Sequence, residues 1–230
     1  MSDASSISLQ GALLGGRYRV GRLLGAGGMG AVYEAMQEDL GRRVAIKVLL
    51  PEVIASSDDA EALRRFAREA RAAAALHHPN IVAVTDFSPG DATAPAFLVM
   101  ELLQGRSVAR AIMDEGRLGP ERVVTIAIQI LAALETAHAA GLVHRDIKPD
   151  NVFLVPVTGA AGGELVKVLD FGIAKLARGG GATSSGLTAT GAVLGTPAYM
   201  SPEQARGRDV DARSDLYAVG ALMYHALSGR

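Results

Sequence analysis

The chain has 230 residues, 49% of them hydrophobic, which is enough to bury a sizeable core as one large domain or two small ones. A formal net charge of −1 and a pI near 6.5 exclude the broad basic field that nucleic acid or an anionic membrane would require. The absence of cysteine excludes disulfide frameworks, thiolate nucleophiles and thiolate zinc sites, and makes a reducing compartment, the cytoplasm, the expected address.

Residues 1–17 begin Ser-rich and polar, without a basic region followed by an apolar one, and are read as a disordered lead-in rather than a signal peptide. From Tyr18 to Leu50, Gly-rich turns alternate with the β-branched runs Tyr18-Arg19-Val20, Ala31-Val32-Tyr33 and Val44-Ala45-Ile46. That alternation predicts an antiparallel meander. Ser57-Asp58 then cap a helix to about Leu76, with Leu63, Phe66, Ala70 and Ala73 on one face, Arg64, Arg68 and Arg71 around the others, and Pro79 ending it. Strands are expected at Ile81 to Asp86 and Phe97 to Leu102.

After Gly105 the pattern turns helical, and a long amphipathic helix starts near Pro120 and closes at Gly141. Short strands follow at Asn151 to Val155 and Val166 to Leu169, and the Gly/Ser/Thr-rich stretch Ala177 to Ala192 reads as a mobile loop. The apolar stretches Val123 to Leu134 and Leu216 to Leu227 are interrupted by polar residues and fall short of the roughly eighteen needed to span a bilayer, so both are read as buried helices and no membrane segment is expected. Sheet, helix, sheet, then mostly helices predicts an α+β protein with a cleft between two lobes near Glu101 to Gly105.

Gly25-Ala26-Gly27-Gly28-Met29-Gly30 fits G-x-G-x-x-G, whose glycines let backbone N–H groups approach phosphate oxygens. Taken alone it could be a plain hairpin turn or a dinucleotide fingerprint. The latter needs a helix to open at the third glycine, whereas Ala31-Val32-Tyr33 looks like a strand, so a glycine flap on a hairpin fits better. Val44-Ala45-Ile46-Lys47 places a lysine on a strand otherwise made for burial, where desolvation costs several kcal/mol without a partner. Glu69, on the helix face carrying Phe66 and Ala73, can supply it; a surface lysine and a solvated glutamate are the plainer alternative for either residue alone.

With these come His144-Arg145-Asp146-Ile147-Lys148-Pro149-Asp150-Asn151 and Asp170-Phe171-Gly172, and the set resembles the protein kinase family in order and spacing over Tyr18 to Arg230. Gly27-Gly28-Met29-Gly30-Ala31-Val32-Tyr33 and Gly195-Thr196-Pro197-Ala198-Tyr199-Met200-Ser201-Pro202-Glu203-Gln204 look most like the eukaryotic-like serine/threonine kinases of bacteria. The resemblance implies a bilobal fold, with residues 18–103 an N-lobe of antiparallel sheet plus one helix and 104–230 a mainly helical C-lobe. It implies an ATP-dependent, Mg²⁺-dependent enzyme acting on Ser/Thr hydroxyls of protein substrates.

By that resemblance Lys47, fixed by Glu69, would hold the α and β phosphates beneath Gly25, Gly27, Gly28 and Gly30. Asp170 and Asn151 would bind the metal through hard oxygen ligands. Asp146 would accept the hydroxyl proton, Lys148 would neutralise charge on the transferred phosphate, and with Thr196 it marks the serine/threonine branch. Leu24, Val32 and Ala45 would cover adenine from one side and Phe153, bulkier than the aliphatic residue usual there, from the other. Met100 would stand behind the base, with the backbone of Glu101 and Leu103 at its edge. Arg145 resembles the arginine that pairs with a phosphate on the activation loop, for which Thr188 and Thr190 are the candidates, with Thr183, Ser184 and Ser185 close by. A homodimer for autophosphorylation is one partner this allows.

The family fold continues with several helices beyond the one begun near Ser214, so an incomplete C-lobe is expected, with Leu216, Tyr217, Val219, Leu222, Met223, Tyr224 and Leu227 lacking some neighbours and Glu203 lacking its arginine. Asp215, which in the family steadies the His144-Arg145-Asp146 loop, is present. Two readings therefore stand at this point: an active enzyme, favoured by Lys47, Glu69, Asp146, Asn151 and Asp170, and a fragment that binds nucleotide or partner proteins without turnover.

Overall fold

Short β-branched runs between tight turns come first in the chain, and they pair into the sheet their pattern predicts. The computed structural model describes residues 9–27, 30–49, 59–90, 94–157, 163–171 and 197–230, and of residues 59–63, 65, 66 and 69 it describes the backbone alone. The described residues form two units, one from those up to 74 together with 83–102, the other from 75–82 and those from 103 onward.

In the first unit, β1 (Leu13–Leu14), β2 (Tyr18–Gly27), β3 (Gly30–Gln37), β4 (Arg42–Leu49), β5 (Val84–Ser88) and β6 (Phe97–Glu101) make an antiparallel sheet in the order β1-β2-β3-β4-β6-β5. Alternate residues Tyr18 and Val20, Tyr33 and Ala35, Val44, Ile46 and Val48, and Phe97 and Val99 fall on one face and form its core, as a period of two requires. Helix α1 (Asp59–Ala74) lies against β5, with Ala70 and Ala73 buried, Arg64, Arg68 and Arg71 exposed, and Arg71 over the Phe87 ring. The expected inward side chains Leu63 and Phe66 lie outside the described residues.

The lead-in is corrected over residues 9–17. Leu14 is 5% exposed and joins the core, and Leu13–Leu14 pairs with Tyr18 and Arg19. Tyr18 donates its hydroxyl to Asp86 at 2.6 Å, and burial, then Asp86, push its pKa up to about 12. Polar composition over the first ten residues hid two leucines placed to pair with a neighbouring strand.

The second unit holds the three-stranded sheet β7 (Arg106–Ser107), β8 (Val152–Pro156) and β9 (Glu164–Val168), with α2 (Val108–Glu115), α3 (Pro120–Ala139), α4 (Pro202–Ala205) and α5 (Ala212–Ser228). Ser107 caps α2 by accepting the Arg110 N–H, and Pro120 opens α3 with its fixed φ. Val123, Ile126, Ile130 and Leu134 of α3 pack with Val219, Leu222 and Ala226 of α5 and with Val152, Leu154, Val166 and Val168. Asp211 caps α5, which starts at Ala212, two residues ahead of the expected start near Ser214.

Three further expectations change. Ile81 and Val82 are not part of β5: Ile81 makes a parallel bridge with Val168, and Asn80 donates to the Val166 carbonyl at 2.8 Å, so this apolar stretch serves the second unit. The apolar stretch 123–134 sits in a helix of 20 residues that, by length and composition alone, is long enough to cross a membrane. The burial expected of α3 is one-sided, since Val124, Ile128 and Leu131 are exposed while its opposite face is in the core; on α5 the exposed Leu216, Tyr217, Tyr224 and Leu227 agree with the expectation that they lack some neighbours. The stretch 177–192 lies outside the described residues.

The glycines of the hairpin between β2 and β3 divide by what surrounds them. A Cβ at Gly25 or Gly27 would meet nothing within 4 Å among the described residues, whereas at Gly30, with φ of 152°, it would fall 2.0 Å from the Val48 carbonyl oxygen. Gly30 is therefore demanded by the close approach of β4. Gly30→Ala should destabilise the protein by roughly 3 kcal/mol, and Gly25→Ala by less than about 1, read by chemical denaturation.

Candidate active site

In the first unit, strand register gathers several expected nucleotide-handling residues. Val32 stands opposite Lys47, and Ala45 opposite Met100. Ala45 and Lys47 are two apart, so all four side chains share the sheet face turned away from the Tyr18–Val99 core. Ala45 and Met100 are each 6% exposed, Lys47 and Val32 are half-buried, and Leu24 is exposed at 40%. Glu101 gives its N–H to the Ala83 carbonyl and accepts the Ala83 N–H on its carboxylate. Gly28 and Thr196 lie outside the described residues, as do Thr188 and Thr190. The Glu69 side chain does too, so the Lys47–Glu69 pair is not among the described contacts.

The second unit builds its chemistry on the loop that follows α3. After Gly141 turns the chain with φ of 75°, the loop reaches His144 and Arg145, whose N–H groups both go to Asp215, at 2.8 Å to Oδ2 and 2.8 Å to Oδ1. Asp215 is 1% exposed in the first turn of α5, where the helix dipole favours a negative charge. A third donor completes its shell, His138 Nε2 at 2.8 Å from Oδ2. A carboxylate only accepts, so His138 carries a proton on that nitrogen.

His144 is fully buried and its tautomer follows from its partners. Nε2 faces the Leu169 carbonyl at 2.8 Å and must donate, while Nδ1 accepts the Asp146 N–H at 3.2 Å. The ring is neutral, with its pKa lowered by burial against the opposing pull of Asp215. It also lies 4.7 Å from the Phe171 ring.

Asp146 Oδ2 receives Asn151 Nδ2 at 3.0 Å and Lys148 Nζ at 3.1 Å. Asn151 also donates to the Asp146 carbonyl at 2.8 Å, so both hydrogens of its amide point to Asp146 and its Oδ1 is turned the other way. Leu169 gives its N–H to the Asn151 carbonyl and takes His144 Nε2–H on its own, which fixes the residue before Asp170. Asp170 itself has φ of 58°. The loop thus brings together a carboxylate with two polar donors, and the adjoining strand end supplies a second carboxylate. A small depression lies beside Asp146 and Lys148, bordered also by Tyr199 and Met200. Phe153 and Leu103 are half-buried within this unit.

Residues 18–230 match the family profile of the protein kinase domain. The chain belongs to that family. It is 45% identical over 215 residues to the serine/threonine-protein kinase pkn3 of Myxococcus xanthus, covering 93% of this chain and 38% of that protein. It is 44% identical over 223 residues to the serine/threonine-protein kinase PknA of Mycobacterium tuberculosis, covering 96% and 48%. The crystal structure of the Mycobacterium tuberculosis PknI kinase domain is similar with a TM-score of 0.73 at 32% identity, over 96% of this chain and 77% of that one. The chain thus spans less than half the length of these two curated relatives and shares the α+β kinase fold. The resemblance to bacterial serine/threonine kinases read from the motifs is borne out.

Two residues of the kinase loop's support were not singled out for a role from sequence, His138 and Gln204. Each joins the loop from a distant element, and only His138 left a signal, a lone imidazole four residues after the buried Leu134 on α3. Glu203, expected to lack its arginine, accepts a hydrogen bond from the Ser214 hydroxyl.

Because the fold holds His144 neutral, its contribution to stability is complete above the ordinary histidine value of 6.5. As pH falls below that value and through the lowered folded one, the unfolded chain takes up a proton that the folded chain resists, and the contribution is lost. The melting temperature should therefore drop between about pH 7.5 and about pH 5.5, with a shallower drop in His144→Asn. Equal slopes in the two proteins would contradict the assignment.

Proposed function

We propose that this kinase domain transfers the γ-phosphate of ATP to serine and threonine hydroxyls of proteins. The observation that carries the reading is the Asp146 carboxylate, held on one oxygen by Lys148 and Asn151 on a loop whose backbone is tied to buried Asp215. Phosphoryl transfer asks a protein mainly for position and charge, and these groups supply both.

In the reaction, the acceptor oxygen bonds to the γ-phosphorus, the bond from that phosphorus to the β–γ bridging oxygen breaks, and ADP leaves. Asp146 takes the hydroxyl proton as the new bond forms. Lys148, at 3.1 Å from Asp146, would supply a positive charge to the transferred phosphate. Lys47 would hold the α and β phosphates, Leu24, Val32, Ala45, Met100, Glu101, Leu103 and Phe153 would hold the adenine, and Gly25, Gly27, Gly28 and Gly30 would offer backbone N–H groups to the phosphates.

The donor set suits Mg²⁺: one carboxylate on Asp170 and one amide oxygen on Asn151, the latter turned away from Asp146, match an ion that takes few protein oxygens and keeps the rest for phosphate and water. When bound, Mg²⁺ would neutralise phosphate charge. Serine and threonine acceptors are supported by the relatives, which are serine/threonine kinases at 44–45% identity. Autophosphorylation at Thr188 or Thr190 is part of the same proposal, with Arg145 the cation for the product phosphate.

Transfer of labelled phosphate from Mg²⁺-ATP to a Ser/Thr peptide should fall about 10²–10⁴-fold in Asp146→Asn. Equal incorporation by both proteins would sink the reading, and tryptic mapping showing no phosphate on Thr188 or Thr190 would remove autophosphorylation from it.

A further inference from the structure

The peptide that leads into Asp146 is held at both ends by side chains from elsewhere. Its N–H, that of Asp146, goes to His144 Nδ1 at 3.2 Å, and its carbonyl, that of Arg145, accepts Gln204 Nε2 at 2.9 Å. A trans peptide is planar, so the two contacts fix one rigid plate, and that plate sets the direction in which the Asp146 side chain leaves the backbone. The plate needs fixing because Arg145 has φ of 64°, a conformation that a residue with a Cβ does not keep unaided.

Gln204 is suited to this by its second contact. In α4 it completes a capping box with Ser201: its backbone N–H goes to Ser201 Oγ at 3.3 Å, and its Oε1 accepts the Ser201 N–H at 3.0 Å. With the oxygen so occupied, the amide nitrogen must face the Arg145 carbonyl. Ser201 is fully buried, which anchors the arrangement. Tyr199 and Met200, just before it, border the same depression as Asp146 and Lys148.

We infer that Gln204 is a positioning residue of the phosphoryl-transfer reaction, acting through the Arg145–Asp146 peptide to aim the Asp146 carboxylate. The inference rests on the kinase reading above. It goes beyond helix capping, because a cap requires only the acceptor oxygen and the positioning role requires the donor nitrogen. Glutamate separates the two: Glu at N3 keeps the capping box, yet sets an oxygen without a hydrogen against the Arg145 carbonyl.

The test compares the chain with Gln204→Glu and Gln204→Ala. Gln204→Glu should melt within about 2 °C of the parent, consistent with a retained cap, while kcat for peptide phosphorylation falls about 10- to 100-fold and KM for ATP changes less than about twofold. Gln204→Ala should lose both kcat and melting temperature. A kcat for Gln204→Glu within about twofold of the parent would reduce Gln204 to a cap. Amide hydrogen exchange at Asp146 gives a readout independent of turnover, and it should quicken in Gln204→Glu; an unchanged rate overturns the positioning role. If the parent chain transfers no more phosphate than Asp146→Asn, the kinase reading falls, and exchange alone decides whether Gln204 holds the peptide.

Discussion

A buried carboxylate must be paid for with donors, and the second unit spends Asp215 on the backbone that carries its chemistry. Removing an ionised side chain from water costs several kcal/mol unless its oxygens are satisfied. Asp215, 1% exposed, takes the N–H groups of His144 and Arg145 and the imidazole of His138, each at 2.8 Å, and sits in the first turn of α5. Arg145 lies in the left-handed region with φ of 64°, and its N–H bond to Asp215 helps hold it there. The cost of the buried charge and the cost of the unusual backbone are thus met by one set of contacts.

The same loop is joined to the end of β9 by a second set. His144 and Asn151 hold the two backbone groups of Leu169, so the residue after it, Asp170, has its place set by the loop that carries Asp146. Arg145 and Asp170 are the only non-glycine residues with positive φ among the described residues, and each lies beside or at a carboxylate to which the proposed reaction gives a role. Strained backbone persists only where surroundings over-determine it, and here the surroundings are His144, Asn151, Gln204 and Asp215. The kinase fold supplies these from α4, α5 and the loop itself, which explains why a helix of four residues such as α4 matters to the site.

Much of this was legible in the amino-acid order. The β-branched runs at 18–20, 31–33 and 44–46 became β2, β3 and β4 in the predicted antiparallel arrangement, and Pro120 and Gly141 bracketed α3. Periodicity failed where an apolar run had two destinations. Ile81 and Val82 looked like the start of β5 but bind to the neighbourhood of β9, and Leu13–Leu14 pairs with β2 beneath a polar approach. The glycine motif was read as a turn or a phosphate-approaching flap, yet Gly30 answers to the Val48 carbonyl, a neighbour that no count along β3 reveals.

The kinds and order of the groups proposed to carry the reaction, Lys47, Asp146, Lys148, Asn151 and Asp170, are written in the linear chain, since motif spacing is a local property and survives without coordinates. The tautomer of His144, the left-handed turn at Arg145, and the parts played by His138 and Gln204 come from folding. The His144 tautomer rests on a bond to Leu169, 25 residues away, and the others on hydrogen bonds between positions 59 to 77 residues apart; such pairings have no period for a sequence to display.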